Sequence, residues 1–377
     1  MNRKAHDVWW RLAHQAQPRS MGESLLGDLL GAASVPFGMA VGLRNAAYDR
    51  GLLKARQAGC PVVSIGNVSV GGTGKSVCVA AVVRKLHRRF KRVGVLTRGY
   101  GSSGRYCLRW TDGKLDVSGL DAQLPAGIDP LADEPQMLAR QLPETPVIVS
   151  ADRVSAARWA RERLGCEALV MDDGFQHRRL ARDCDVVLIN GRMPLGGQAL
   201  LPRGPMREPM AAIRRAHGVI LTRADEVLDK LGAWRERVRA LNPLAFFAAA
   251  QYEPLDVLDA ANGAAHPPQT LAGKRLTLVS SIGDPRSFDI TVQGLHGRPL
   301  SHAAFPDHHA YTPADWQEIL RRTTQDHAEG LLTTEKDWVR LSPLALAAPA
   351  PVPVWVLRIR LKFLSGEEAL DDRLARL

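Results

Sequence analysis

Aromatic residues are scarce in this chain, at 6% of 377 residues. Cysteine is scarce too: Cys60, Cys78, Cys107, Cys166 and Cys184, with no C-x-x-C spacing among them. An odd count without paired spacing excludes a disulfide framework or a zinc ribbon and fits a reducing compartment. Each thiol reads as a small buried hydrophobe. The zinc-hydrolase spacing H-E-x-x-H is absent. Met1-Asn-Arg-Lys leads into no signal-peptide core with a small-residue cleavage site. Long apolar runs are missing as well. The uncharged stretch Leu29–Leu43 falls short of the roughly 20 residues a spanning helix needs, and Pro36 interrupts it.

Negative charge is in deficit, 39 acidic residues against 50 basic ones, for a net +11. The surplus favours anionic partners: nucleotides, nucleic acid or an acidic membrane surface. Nucleic acid is the weakest of these. Basic residues spread along helices such as Arg84–Arg92, with few aromatics between them and no reader motif. Arg44, Arg50, Lys54 and Arg56 follow the apolar stretch directly. That order predicts a helix in a membrane interface with its cations toward anionic headgroups, or else a helix packed on the protein's own core.

What is present is an alternation of short apolar runs and helical periodicity. Val62–Ile65, Val93–Thr97, Val147–Ser150, Ala168–Met171, Val186–Ile189 and Val219–Thr222 read as buried strands. Ser76–Phe90 reads as a helix, with Val79, Val82, Val83, Leu86 and Phe90 on one face. The expected fold is α/β, a mostly parallel sheet covered by helices on both faces, with ligands beyond the strand C-termini. Leu258–Gly273, rich in Ala, Pro, Asn and Gly, reads as a connection. A second, smaller α/β lobe is expected after it, with strands Leu276–Ser280, Gly330–Thr333 and Val352–Ile359 and helix Pro313–Arg322. The expected organisation is therefore a helical membrane-interface segment at 1–57, a nucleotide-binding domain at 58–256 and a lobe at 257–377.

The central signal is Ile65-Gly-Asn-Val-Ser-Val-Gly-Gly-Thr-Gly-Lys-Ser76. A strand enters, glycines bend the chain, and Lys75-Ser76 opens a helix. Gly71, Gly72 and Gly74 let backbone N–H groups surround phosphate oxygens, and the helix start adds its positive end. Lys75 can reach the β- and γ-phosphates of ATP, and the Ser76 hydroxyl can ligate Mg²⁺. The expected phosphate loop is Ser69, Val70, Gly71, Gly72, Thr73, Gly74, Lys75 and Ser76. Ser69 stands where the strict pattern has glycine. Asp172 and Asp173, ending the apolar run Ala168–Met171, sit where such a fold places an acid for the metal. Asp133-Glu134-Pro135 reads either as a general base or as acids favoured at a helix N-terminus. His308 in Asp307-His308-His309, and His177, read as an acid/base partner or as surface histidines.

Taken together, V-G-G-T-G-K-S after Gly-Asn, L-T-R-G-Y-G, D-E-P, D-D-G-F-Q-H, L-P-R-G-P-M-R-E-P, F-P-D-H-H-A-Y and T-T-E-K-D resemble the tetraacyldisaccharide 4'-kinases of lipid A synthesis. The resemblance runs from about residue 60 to 340. It implies transfer of the ATP γ-phosphate to the 4'-hydroxyl of a tetraacyl glucosamine disaccharide 1-phosphate, at the cytoplasmic face of the inner membrane. No nucleic acid and no obligate protein partner are expected. The resemblance further implies Asp133 as base, Glu134 near the metal, Asp172 and Asp173 as metal-site acids, and His308 as the group assisting the base. Glu208 and Arg207 of the R-E-P segment and Arg98 of L-T-R-G-Y-G match further site positions, Glu208 toward the metal and the two arginines toward substrate. Ser76 replaces a usual threonine and Arg203 an expected alanine. With Asp133 on the first lobe and His308 on the second, closure of the lobes is expected to assemble the site. A membrane-associated P-loop ATPase or GTPase switch that releases phosphate to water is the competing reading.

Overall fold

The computed structural model describes residues 9, 13, 20–99, 104–120, 132–195 and 198–377. In chain order the elements are α1 (Met21–Asp49), β1 (Val62–Asn67), α2 (Lys75–Leu86), β2 (Val93–Thr97), β3 (Tyr106–Thr111), β4 (Lys114–Gly119) and α3 (Asp133–Gln141). Then come β5 (Val147–Val149), α4 (Arg153–Leu164), β6 (Ala168–Asp172), β7 (Cys184–Asn190), β8 (Gly218–Thr222), α5 (Leu231–Leu241), β9 (Phe246–Asp259) and β10 (Ala265–His266). The last are β11 (Arg275–Ser280), α6 (Pro285–Gly294), β12 (Arg298–Ala304), α7 (Pro313–Gln325), β13 (Gly330–Thr334), α8 (Glu335–Ala347), β14 (Val354–Ser365) and α9 (Glu367–Ala375).

These elements form two compact units, neither of them a single stretch of chain. The first gathers residues 1–130, 141–251 and 362–377; the second gathers 131–140 and 252–361. The contiguous blocks expected from composition, 58–256 and 257–377, are not how the contacts divide. The helix carrying Asp133 groups with the later residues, and α9 returns to the first unit. Composition cannot register such exchanges, because they depend on which surfaces meet.

In the first unit the strand order is β9-β8-β7-β1-β6-β2-β5-β3-β4. The first seven pair in parallel, and the β3–β4 hairpin closes the edge antiparallel. β1, β2, β5, β6 and β8 are buried at every position, as strands must be when both faces of the sheet are covered. The hairpin turns through Asp112 and Gly113, both at positive φ, the two-residue turn whose twist matches its strands. In the second unit β12-β11-β13-β14 pair in parallel. Alternation along its strands divides the core. Leu276, Leu278 and Leu332 meet Phe288 and Val292 of α6, while Val279 and Leu331 meet Trp316 and Ile319 of α7 and Leu341 of α8.

α1 is longer than the apolar stretch that announces it. Ser20 caps its start by accepting from the Glu23 amide at 3.2 Å. Pro36 lies inside a helix that continues past it for 13 residues. Among the described residues α1 alone is long and apolar enough to cross a membrane, by length and composition. Met21, Leu25, Leu29, Val35, Met39 and Leu43 are exposed along it. Small residues mark its packed side: Ser34 Oγ donates to the Leu200 carbonyl and accepts from the Arg203 amide, and a Cβ at Gly38 would press on Leu200 at 2.9 Å. The unexpected Arg203 extends its side chain past Gly27 and Gly31.

Candidate active site

In the first unit β7, β1, β6 and β2 are adjacent and parallel, so Asn190, Asn67, Asp172 and Thr97 all end on one edge. That edge collects the chemistry. Gly66, just before Asn67, has no room for a side chain: a Cβ would lie 2.6 Å from the Phe175 amide nitrogen. The D-D-G-F turn therefore seats directly on β1. Gly71 and Gly74 follow at φ 105° and 70°, which only glycine adopts without strain. Gly74 caps α2 with no side-chain acceptor, leaving the first-turn amides open to an anion.

The expected loop residues do not all face one way. The Val70 amide donates to the Pro205 carbonyl at 2.7 Å, and Ser69, nearly buried, pairs with Met206. These two brace the loop from behind, so the anion-facing part runs from Gly71 to Ser76. Thr73 turns its hydroxyl inward to accept from Asn67 Nδ2 at 3.0 Å, and the Gly72 carbonyl accepts from Asn190 Nδ2 at 3.4 Å.

Lys75 Nζ lies 3.7 Å from Asp173 Oδ1, and Arg207 Nη1 holds both Asp173 oxygens at 2.7 and 3.0 Å. Burial pushes the Asp173 carboxyl up, but Lys75, then Arg207 and Arg153, outweigh it and hold it below the usual carboxylate range. Asp172 is 2% exposed and accepts from Thr97 Oγ1 at 3.2 Å, while Arg153 donates to its carbonyl. Arg98, just past β2, is exposed; Tyr100 and Gly101 of its motif lie outside the described residues.

Glu208 is different in kind. It is 0% exposed, and its oxygens accept from Asn45 Nδ2 at 2.7 Å, Arg215 Nη2 at 2.8 Å and Arg44 Nη2 at 3.4 Å. A carboxylate so enclosed offers a metal no open oxygen, so the metal role expected for Glu208 does not fit. It ties α1 to the loop behind Val70 instead.

The second unit carries its own cluster, again at strand C-termini. Asp133 and Glu134 occupy the first turn of α3, as acids favoured by the helix dipole do. Asp133 Oδ2 lies 3.2 Å from Arg340 Nε and 3.8 Å from His308 Nδ1. Lys336 Nζ donates to Asp307 Oδ1 at 2.8 Å and to His308 Nε2 at 3.2 Å, leaving the ring proton on Nδ1, which faces Asp133. His308 sits at φ 59°, in the left-handed region that few residues other than glycine adopt. Asp133 and His308 thus already share one unit, and their pairing does not wait on closure of the lobes. The sequence reading missed Arg340, although it stands three residues after Asp337 in T-T-E-K-D, one helical turn on.

Among the described residues no three His, Cys, Asp or Glu side chains converge as a ready-made metal cage. A magnesium ion on a nucleotide needs none, since phosphate oxygens and water complete its shell around one hydroxyl and one or two carboxylates. Ser76, Asp172 and Asp173 are donors of that kind.

A family model described as tetraacyldisaccharide-1-P 4'-kinase, LpxK, matches residues 26–377. The chain belongs to the LpxK family. A tetraacyldisaccharide 4'-kinase of Anaeromyxobacter dehalogenans strain 2CP-C is 42% identical over 374 residues, 98% of this chain and 94% of that one. One from Syntrophus aciditrophicus is 38% identical over 330 residues, 85% and 86% of the two chains. The crystal structure of the "apo" form LpxK from Aquifex aeolicus in complex with ATP aligns with a TM-score of 0.70 at 28% identity, over 93% of this chain and 99% of that one. Membership in LpxK makes this chain an ATP-using kinase of lipid A synthesis and sets aside the phosphate-to-water switch.

Proposed function

We propose that the chain moves the γ-phosphoryl group of ATP to the 4'-hydroxyl of a tetraacylated glucosamine disaccharide 1-phosphate, with Asp133 as the base. The observation that carries the assignment is the Asp133 carboxylate beside the Nδ1 face of His308, on a chain whose other unit holds a glycine phosphate loop. The amides from Gly71 to Ser76 and the Lys75 ammonium would neutralise charge shifting onto the β- and γ-phosphates. Arg207, by holding Asp173, keeps that carboxylate ionised beside Lys75. Ser76 with Asp172 and Asp173 would hold magnesium, which supplies further charge neutralisation when bound. Asp133 takes the proton of the sugar hydroxyl as it attacks, and the imidazole N–H of His308 steadies the carboxylate that does so. Arg98 is the candidate contact for the substrate's anionic groups.

The exposed apolar side of α1 supports placement of the enzyme at a membrane, within reach of a lipid's sugar headgroup, and its use of ATP favours the cytoplasmic face of the inner membrane. The deciding experiment uses ³²P-labelled ATP and the monophosphorylated disaccharide lipid. Label should appear in the lipid on thin-layer chromatography, and label found only in free phosphate would overturn the proposal.

A further inference from the structure

Beside Asp133, Arg340 is anchored at two corners of its guanidinium. Its Nη1 donates to the His309 carbonyl at 2.5 Å and its Nη2 to Asp337 Oδ1 at 3.2 Å. Asp337 is itself fully buried and fixed from several sides. It accepts from the Ser281 amide at 3.0 Å, Ser281 Oγ at 2.7 Å, Thr334 Oγ1 at 2.7 Å and the Tyr311 hydroxyl at 3.1 Å. Burial, then Asp337, push the Tyr311 phenol up, so it stays a donor. Its ring also lies beneath the guanidinium, 5.6 Å from centroid to Cζ. Two corners of the guanidinium fork are thus fastened to the body of the unit. The third, Nε, is buried, lies 3.2 Å from Asp133 Oδ2, and is not aligned as a hydrogen bond in this state.

We infer that Arg340 is a positioning residue for the reaction: anchored by Asp337 and the His309 carbonyl, it holds Asp133 Oδ2 so that Oδ1 meets the sugar hydroxyl. The inference rests on the reading of Asp133 as the base. The contacts from Arg340 and His308 both fall on Oδ2. Two groups facing one oxygen draw the carboxylate toward a single orientation, and the other oxygen is left to take the proton. Because two corners of the fork are bonded to the body of the unit while the third faces Asp133, lysine cannot replace it even with its charge retained. Asp337 orients Arg340 and through it the base, which gives the T-T-E-K-D segment a role beyond packing.

The test is steady-state kinetics of the full chain with labelled ATP and the monophosphorylated disaccharide lipid, on Arg340→Met, Arg340→Lys, Asp133→Ala and the double variant D133A/R340M. Arg340→Met should lower kcat by roughly 10- to 100-fold, the scale of a misplaced reacting group, with KM for ATP changing by less than about twofold. Arg340→Lys should melt like the wild type and lose several-fold in kcat, so it decides the matter if the methionine variant folds poorly. In the Asp133→Ala background, Arg340→Met should cost almost nothing more, since the two act as one unit. Wild-type kcat in Arg340→Lys, or an undiminished loss in the double variant, would overturn the inference while leaving Asp133 as base. Near-normal turnover in Asp133→Ala would overturn the base assignment itself, and the inference with it.

Discussion

Single side chains set the chemistry, and most of them announce themselves by type and spacing. Lys75, Asp172 and Asp173 could be named from the sequence because each follows a pattern with a physical purpose, whereas Asp133 before Glu134-Pro135 reads as well as a helix N-terminus and took the role of base only from the family resemblance. Arg340, Lys336 and Glu208 could not be assigned that way, since their meaning lies in partners 28 to 207 positions distant in the chain. Asp133→Ala should cut turnover by about 10²-fold or more, the loss expected for a general base, with ATP affinity retained. Equilibrium dialysis beside the kinase assay separates the two quantities. His177 makes a pH prediction. Burial, then Arg153 and Arg182, push its pKa down to about 4, well below its unfolded value of about 6.5. The unfolded chain therefore binds the proton more readily. Its contribution to stability is complete above about pH 6.5 and is lost as pH falls toward 4. His177→Gln should recover on the order of 1 kcal/mol at pH 5 relative to pH 7, the partial exposure of the ring having reduced the effect. Urea unfolding at the two pH values reads it directly.

Individual elements carry the next level. The parallel strands were legible because burial on both faces makes them unbroken apolar runs. The β3–β4 hairpin was also legible in principle, through Asp112-Gly113 between alternating residues, yet its mixed polarity hides it beside the louder strands. β12 is harder still, since its exposed positions dilute the apolar signal. α1 was read as shorter than it is, because Pro36 suggests a break that the helix tolerates by forgoing one hydrogen bond. Replacing Leu29 and Met39 by Asp places charge on its exposed apolar side without touching the Ser34 contacts. Flotation with anionic vesicles should show the double variant released, with ATP affinity intact. Bound protein would place the membrane contact elsewhere. At the start of α2, Gly74→Ala should cost about 1 kcal/mol or more, because φ is 70° there. A lowered melting temperature accompanied by weaker ATP binding is the expected pair of changes.

At the scale of the whole molecule, chain order and architecture part company. The chain passes between its two units at 130/131, 140/141, 251/252 and 361/362. A fragment spanning 58–256 therefore lacks α9, which the first unit uses. Lys85, with little exposure, donates to Glu367 at 2.6 Å and Asp371 at 2.7 Å, and Leu370 and Leu374 are buried. Burying each leucine is worth about 1.5–3 kcal/mol, comparable with much of a domain's net stability. Circular dichroism should show that fragment 58–256 lacks a cooperative melt. A fragment that melts as sharply as the whole chain would mean that α9 adds little.

Such an arrangement bears on how the protein is made. During synthesis β1 and the glycine loop leave the ribosome about 300 residues ahead of α9, which at ~5–20 residues per second is a wait of roughly 15–60 s. Over that interval the nascent first unit lacks the cover that α9 brings beside α2, and the apolar surface that Leu370 and Leu374 will later share in burying is a natural landing place for a holdase chaperone.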